Sequence, residues 1–167
     1  RHTHIVEPEY MIPEDVAVVA GQAFERMASG EPLQYVTGQA DFYGRTFRVN
    51  PYVLIPRPET EILCREAVQR VAAMSGGSTS GTLKIADLCT GSGCIAWTVA
   101  LECPEAKVVA VDISDGALQT ASSQEFSEEM HHNGAHAPAF IKSDVLDVLK
   151  CTSDLLHAGG SEEKFDV

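Results

Sequence analysis

The stretch "DLCTGSGCIA", Asp87 to Ala96, places Gly91, Gly93 and Ala96 in the spacing G-x-G-x-x-A. Glycines at this spacing are typical of the tight turn between a strand and a helix, where the backbone can approach an adenosine-containing ligand. The glycines alone leave two ligands open, a dinucleotide and some other adenosine cofactor. They do predict where in the fold that ligand binds.

Strand-like and helix-like patterns alternate around this turn. Short apolar runs predict strands at 83–88, 107–111 and 139–142, and the stretches from about 92 to 102 and from 114 to about 130 are predicted to be helical. This alternation predicts an α/β fold with a parallel sheet and right-handed crossovers.

The residues before the sheet contain two further patterns. Pro13 and Gly30 are a start and a stop signal for a helix whose apolar stripe predicts docking against another part of the chain. Aromatic and β-branched residues flank Gly44-Arg45, which predicts a β-hairpin between 38 and 55. Pro58 then predicts the start of a second helix that continues to about Met74.

Composition excludes several classes of protein. The 167 residues are 44% hydrophobic, enough for one sizeable core, and 12 basic against 24 acidic residues give a net charge of −12. That charge disfavours nucleic acid as a stable partner, and no apolar run reaches the ~20 residues that a membrane span needs. Five cysteines without C-x-x-C spacing indicate buried reduced thiols rather than disulfides or a metal site. We therefore expect no metal, no membrane and a cytoplasmic location, with the mitochondrial matrix as the alternative for a eukaryotic source.

Acidic residues follow or end the three predicted strands. Asp87, Asp112 and Asp144 fall at successive strand ends, which meet at one edge of a parallel sheet. Asp112 follows Gly93 by nineteen residues, the distance at which an acid accepts hydrogen bonds from both ribose hydroxyls. Each acid alone could also be a helix cap.

The residues ahead of the glycines discriminate between the ligands. Asp87 and Thr90 precede Gly91, and an extra carboxylate would repel a diphosphate but suit a sulfonium and an ammonium group. The pattern D-x-x-x-G-x-G resembles motif I of S-adenosylmethionine-dependent methyltransferases. In that interpretation Asp144 accepts from the adenine amino group, and Ile113 and Val145 flank the ring.

Two segments carry a more specific resemblance. "PLQYVTGQADFYGRTFRVNPYVLIPRPETEIL", Pro32 to Leu63, and "IADLCTGSGCIA" resemble the HemK/PrmC family, and the similarity runs to about Val145. Members of that family are N5-glutamine methyltransferases that modify the glutamine of the Gly-Gly-Gln motif in peptide chain release factors. The resemblance implies part of a helical, substrate-recognising domain at 1–37, a hairpin linker at 38–56 and a Rossmann-like methyltransferase domain at 57–167 that is incomplete at its C-terminus.

The resemblance also implies the cofactor, S-adenosylmethionine with S-adenosylhomocysteine as product, and residues of the site. The ribose acid is Asp112, the adenine contacts are Asp144 and Val145, and Arg57 and Thr60 border the substrate site. The cofactor loop comprises Cys89, Thr90, Gly91, Ser92 and Gly93. Cys89 stands where family members often have glycine.

The catalytic signature of the family is absent from the sequence. Asn-Pro-Pro-Tyr follows a strand that Phe165 to Val167 resembles, and the sequence ends there. We therefore predict no catalytic residue within the chain and expect a fragment that is inactive alone. Two alternatives stay open: an adenine-N6 DNA or RNA methyltransferase, and a non-catalytic cofactor-binding or interaction module.

Overall fold

The computed structural model describes residues 11–75 and 83–145. The chain divides into two compact units between Thr37 and Gly38. The hairpin falls in the second unit, and the three-part division inferred from the sequence stays a prediction. Phe165 to Val167, which resemble a strand in sequence, lie outside the described residues.

Residues 11–37, the described part of the first unit, contain two helices, α1 at Glu14–Ala28 and α2 at Leu33–Thr37. Pro13 precedes α1 as predicted, and the backbone turns away at Gly30, whose φ is +95°. No residue of α1 is buried, and Phe24 is 68% exposed. The apolar stripe of α1 is thus not buried by the described residues of this unit, and its docking against another part of the chain stays a prediction.

The second unit begins with an antiparallel hairpin of β1, Gln39–Phe42, and β2, Arg45–Arg48. Tyr43 and Gly44 have φ values of 51° and 74°. Two positive φ values in a two-residue loop are typical of a type I′ turn. The turn predicted at Gly44-Arg45 is thus one residue too late, because Arg45 already pairs with Phe42.

The other elements of the described residues are, in chain order, α3 Thr60–Ser75, β3 Lys84–Leu88, α4 Cys94–Glu102, β4 Lys107–Asp112, α5 Asp115–Ser122, α6 Ser127–Asn133 and β5 Ala139–Lys142. Among these residues, three strands form a parallel sheet in the order β3-β4-β5. This confirms the predicted α/β fold with a parallel sheet. Within residues 11–75 and 83–145, no helix combines the length and the apolarity that crossing a membrane requires.

The helix predicted from 114 to about 130 is two helices, α5 and α6, separated at residues 123–126. Gln124 lies in this break and is 7% exposed. Its side-chain amide bonds the backbone of Arg48 and of Ser92. The sequence pattern from 114 to about 130 is that of one continuous helix. It does not reveal that Gln124 bonds distant residues at this break.

The core lies on both sides of α4, in which seven of nine residues are buried. One cluster packs Val99 of α4 with Val71 of α3 and with Ile85 of β3. A second cluster joins the hairpin to α4, because Phe47 and Trp97 each lie against the ring of Phe126. The hairpin is therefore part of the packed second unit.

Candidate functional site at the carboxyl edge of the sheet

The carboxyl ends of β3, β4 and β5 meet at one edge because the strands are parallel. In the register, Leu88 pairs with Val111, and Asp112 pairs with Lys142. Loop contacts continue the ladder, since Thr90 N donates to Val111 O at 2.9 Å and Ser143 N donates to Asp112 O at 3.1 Å. The structure therefore brings the residues predicted from the three strand ends to one edge.

The glycine loop, residues 89–93, uses a left-handed backbone at three positions. The φ values of Cys89, Gly91 and Gly93 are 63°, 56° and 80°. A Cβ on Gly93 would lie 3.0 Å from Ala121 Cβ and from Trp97 Cδ1, whereas one on Gly91 would meet nothing within 4 Å. The absence of a Cβ at Gly93 therefore permits close packing against Trp97 of α4 and Ala121 of α5. Gly91 leaves open space in which a ligand can approach the backbone.

The buried side chain of Asp87 stabilises this loop through two hydrogen bonds. Its Oδ2 accepts hydrogen bonds from Thr90 Oγ1 at 2.7 Å and from Ala96 N at 3.1 Å. The residue is 8% exposed, and burial raises the pKa of its carboxyl above the ordinary value. The sequence predicts a role for the charge of Asp87, and the structure shows that its carboxylate also holds together the turn between β3 and α4. Its contact with a cofactor stays a prediction.

Asp112 fastens the glycine loop to the end of β4. Oδ2 accepts from Gly91 N at 2.9 Å, and Oδ1 accepts from Ser114 N at 3.0 Å. Each carboxylate oxygen offers two lone-pair directions, so one on each oxygen can still accept a ribose hydroxyl. The two backbone bonds hold the carboxylate in a fixed orientation, and its predicted role as the ribose acid fits this geometry.

Apolar surface borders Asp112. Ile113, the next residue, is 62% exposed, and Leu88 at the end of β3 is 52% exposed. Val145, after β5, is half-buried and packs against Val111. Asp144 is exposed beside it. Apolar groups at three strand ends with an acceptor nearby can accommodate an aromatic base that carries an amino group.

Arg57 and Thr60 lie away from the glycine loop in sequence, at the N-terminus of α3. Thr60 N donates to Arg57 O at 2.9 Å, which makes the turn that begins the helix. Arg57 is exposed and Thr60 is half-buried. Their position beside a substrate stays a prediction.

The sequence interpretation missed the segment that fastens the hairpin to α5. Asn50 Oδ1 accepts from Tyr52 N at 3.0 Å, and Asn50 Nδ2 donates to Thr120 Oγ1 at 2.8 Å. The Tyr52 ring lies so close to Gly116 that a Cβ there would be 2.6 Å from Tyr52 Cγ. The available signal was a glycine in the first turn of a helix, where its flexibility is unfavourable unless another group approaches closely.

The described cysteines are free thiols. Cys64, Cys94 and Cys103 are buried, and Cys89 in the glycine loop is exposed. Burial raises the pKa of Cys64 to about 12 and of Cys94 and Cys103 to about 11. Across residues 11–75 and 83–145 there is no group of three or more His, Cys, Asp or Glu side chains that could hold a metal ion.

Comparison with known proteins gives a family. Residues 74–156 match the model of the methyltransferase small domain. The release factor glutamine methyltransferase of Koribacter versatilis is 44% identical over 142 residues, which are 85% of this chain and 45% of that protein. The protein of the same name from Bacillus subtilis is 48% identical over 123 residues, 74% of this chain and 40% of that one. The chain thus spans about half the length of the curated relatives that it matches.

A solved structure, the SAM dependent methyltransferase from Agrobacterium tumefaciens, aligns with a TM-score of 0.48 at 18% identity over 71% of this chain and 36% of that one. The chain shares three features with the family: sequence identity with these relatives, the methyltransferase small domain, and a parallel sheet with a glycine loop. By these three observations, the chain belongs to the release factor glutamine methyltransferase family.

Proposed function

We propose that the protein transfers a methyl group from S-adenosylmethionine to the side-chain amide nitrogen of the glutamine in the Gly-Gly-Gln motif of a peptide chain release factor. The observation that carries the proposal is the identity of 36% to 48% with relatives named release factor glutamine methyltransferase. The carboxyl edge supports it, because Asp112 and the glycine loop offer the groups that an adenosine cofactor needs.

The cofactor fits the residues at this edge. In the proposed complex the loop formed by residues 89–93 contacts the methionine part, and Asp112 accepts from the ribose hydroxyls. Ile113 and Val145 flank the adenine, and Asp144 accepts from its amino group. S-adenosylmethionine supplies an electrophilic methyl group on a sulfonium sulfur. The product S-adenosylhomocysteine lacks only that methyl and occupies the same groups.

The site must also activate and orient the amide group of the substrate. An amide nitrogen is a poor nucleophile because its lone pair is delocalised into the carbonyl. The site must hold the amide hydrogens on acceptors and align the lone pair with the methyl group, and such positioning supplies much of the rate enhancement. We assign no catalytic residue among residues 11–75 and 83–145. Arg57 and Thr60 are proposed to border the substrate.

The second candidate is an adenine-N6 methyltransferase acting on DNA or RNA, since that reaction also methylates a planar nitrogen. The net charge of −12 weighs against it, because nucleic-acid binding needs clustered cations to replace counterions. We propose a release factor as the protein partner, no stable nucleic-acid, membrane or metal partner, and a cytoplasmic location. The non-catalytic alternative predicts cofactor binding without methyl transfer.

The test compares the 167-residue chain with the protein that its complete coding sequence encodes, called the full-length enzyme here. Calorimetric titration with S-adenosylhomocysteine and with NAD measures which cofactor binds. Methyl-labelled cofactor is then incubated with a release factor that carries Gly-Gly-Gln, with a Gly-Gly-Asn variant as control, and with duplex DNA and RNA. The proposal is supported if the full-length enzyme labels the Gly-Gly-Gln protein and labels neither the Gly-Gly-Asn variant nor the nucleic acids. Binding of NAD only, or label on nucleic acid only, contradicts it.

A further inference from the structure

We infer that Gln124 is a positioning residue that holds the glycine loop in shape and joins it to the hairpin. This inference rests on the proposed function, in which the glycine loop binds the cofactor. Gln124 touches neither the sulfonium nor the substrate in this assignment. It acts through the backbone of Ser92.

Gln124 uses both ends of its side-chain amide. Oε1 accepts from Arg48 N at 2.8 Å, and Nε2 donates to Arg48 O at 2.9 Å. These two bonds form a closed ring on one residue of β2, as a neighbouring strand would. Nε2 also donates to Ser92 O at 3.1 Å, so both of its hydrogens are used.

The bond to Ser92 O fixes one peptide plane of the loop. Ser92 O and Gly93 N belong to the same peptide unit, and Gly93 N donates to Thr90 O at 2.9 Å. The plane is therefore held at both ends, by Gln124 at the carbonyl and by Thr90 at the N–H. This plane joins Ser92 to Gly93 and follows Gly91, and the two glycines, which lack a Cβ and here have positive φ values, would otherwise leave the backbone many alternatives.

The segment that carries Gln124 is itself anchored. The guanidinium of Arg48 donates to Ser123 O at 3.0 Å and forms an ion pair with Glu125 at 2.5 Å. Arg48 thus contacts three successive residues of the break between α5 and α6. The buried amide is consequently presented to the loop in one orientation, and a movement of β2 is transmitted to Ser92.

The test compares two substitutions of Gln124 with a matched control. Gln124→Met keeps the size of the side chain and removes all three bonds. Gln124→Glu keeps the acceptor for Arg48 N but places oxygen against Arg48 O and Ser92 O. The control is Thr120→Val, because Thr120 is 4% exposed and ties Asn50 to α5 without bonding the glycine loop.

Calorimetry gives the Kd for S-adenosylhomocysteine, and urea unfolding gives the stability of each variant. Gln124→Met and Gln124→Glu are expected to raise the Kd at least tenfold, and Thr120→Val to change it less than twofold. The Glu variant should recover part of its affinity at lower pH, because a protonated carboxyl can donate one hydrogen bond. A purely structural role would instead make the Kd follow stability across all three variants.

Amide hydrogen exchange separates this inference from the proposed function. The amide of Gly93 should lose protection in Gln124→Met and keep it in Thr120→Val, whatever ligand the loop binds. A native chain that fails to bind S-adenosylhomocysteine contradicts the proposed function, and the exchange result then decides the positioning role. Unchanged protection of Gly93 in Gln124→Met, or an unchanged Kd in a chain that binds, overturns the inference.

Discussion

Gly91 N donates a hydrogen bond to Oδ2 of Asp112 at 2.9 Å, which fastens the loop after β3 to the end of β4. One carboxylate thereby shapes the loop and faces the proposed ribose position. Ligand affinity and loop geometry are coupled through this contact, so a substitution of Asp112 is expected to change both.

Asp112→Ala should raise the Kd for S-adenosylhomocysteine more than tenfold and lower the free energy of unfolding. The variant loses the ribose acceptor and two backbone bonds to a charged group, each contributing about 1.5–3 kcal/mol before non-additivity. Calorimetry and urea unfolding measure the two effects. The matched control is Asp115→Ala, because Asp115 is an exposed partner of Lys142. If both variants bind S-adenosylhomocysteine with the Kd of the native chain, Asp112 serves only as a helix cap and does not bind the ribose.

Asp87→Asn should change the pH dependence of stability. Burial raises the pKa of Asp87 above its ordinary value of 3.8, so the folded state holds its proton more tightly than the unfolded state. The stability that Asp87 contributes is therefore full below 3.8 and is lost as pH rises through the raised pKa. Relative to Asp87→Asn, the native chain should lose stability as pH increases in this window. Urea unfolding from pH 4 to pH 8 measures the difference, and a relative gain of the native chain contradicts the prediction.

Gly93→Ala should destabilise the chain more than Gly91→Ala. Both residues have a left-handed backbone, which costs a non-glycine residue about 1–2 kcal/mol. Only at Gly93 would the new Cβ meet Ala121 Cβ and Trp97 Cδ1, each at 3.0 Å, and overpacking adds about 1–3 kcal/mol. Urea unfolding of the two variants gives the comparison. Equal losses would show that the neighbours of Gly93 move aside freely.

Cys89 should be alkylated before the three buried thiols. Cys64, Cys94 and Cys103 are buried with pKa values raised to about 11 or 12, so few of them are thiolates at pH 8. Iodoacetamide labelling followed by peptide mass spectrometry identifies the modified residue, with Cys89→Ser as control. Saturation with S-adenosylhomocysteine should slow the labelling of Cys89. Equal rates with and without ligand would contradict contact between Cys89 and the cofactor.

Gly116→Ala should destabilise the chain, and Tyr52→Ala should relieve most of that loss. A Cβ at Gly116 would lie 2.6 Å from Tyr52 Cγ, so the ring must move when the methyl group is added. A double-mutant cycle by urea unfolding measures the coupling between the two residues. Additive effects would show that the ring already moves without cost.

The elements of the sheet could be predicted because their signals are local. Apolar periodicity located β3, β4 and β5, and the glycines located the turn after Leu88. The break at residues 123–126 could not be predicted, since the contacts of Gln124 there reach Ser92 and Arg48, 32 and 76 residues away. The role of Asp87 could not be predicted fully either. The motif identifies Asp87 as part of the turn after β3, but only the folded structure shows that its carboxylate is buried and bonded within that turn.

The attachment of the hairpin has a consequence for folding kinetics. The hairpin closes through a two-residue turn, whereas its bonds from Arg48 to Gln124 and from Arg45 to Glu129 span 76 and 84 residues. Closing such long loops costs entropy before any contact is gained. We therefore expect the hairpin to form early but to dock late, after the transition state, so that weakening its docking accelerates unfolding and leaves the folding rate nearly unchanged.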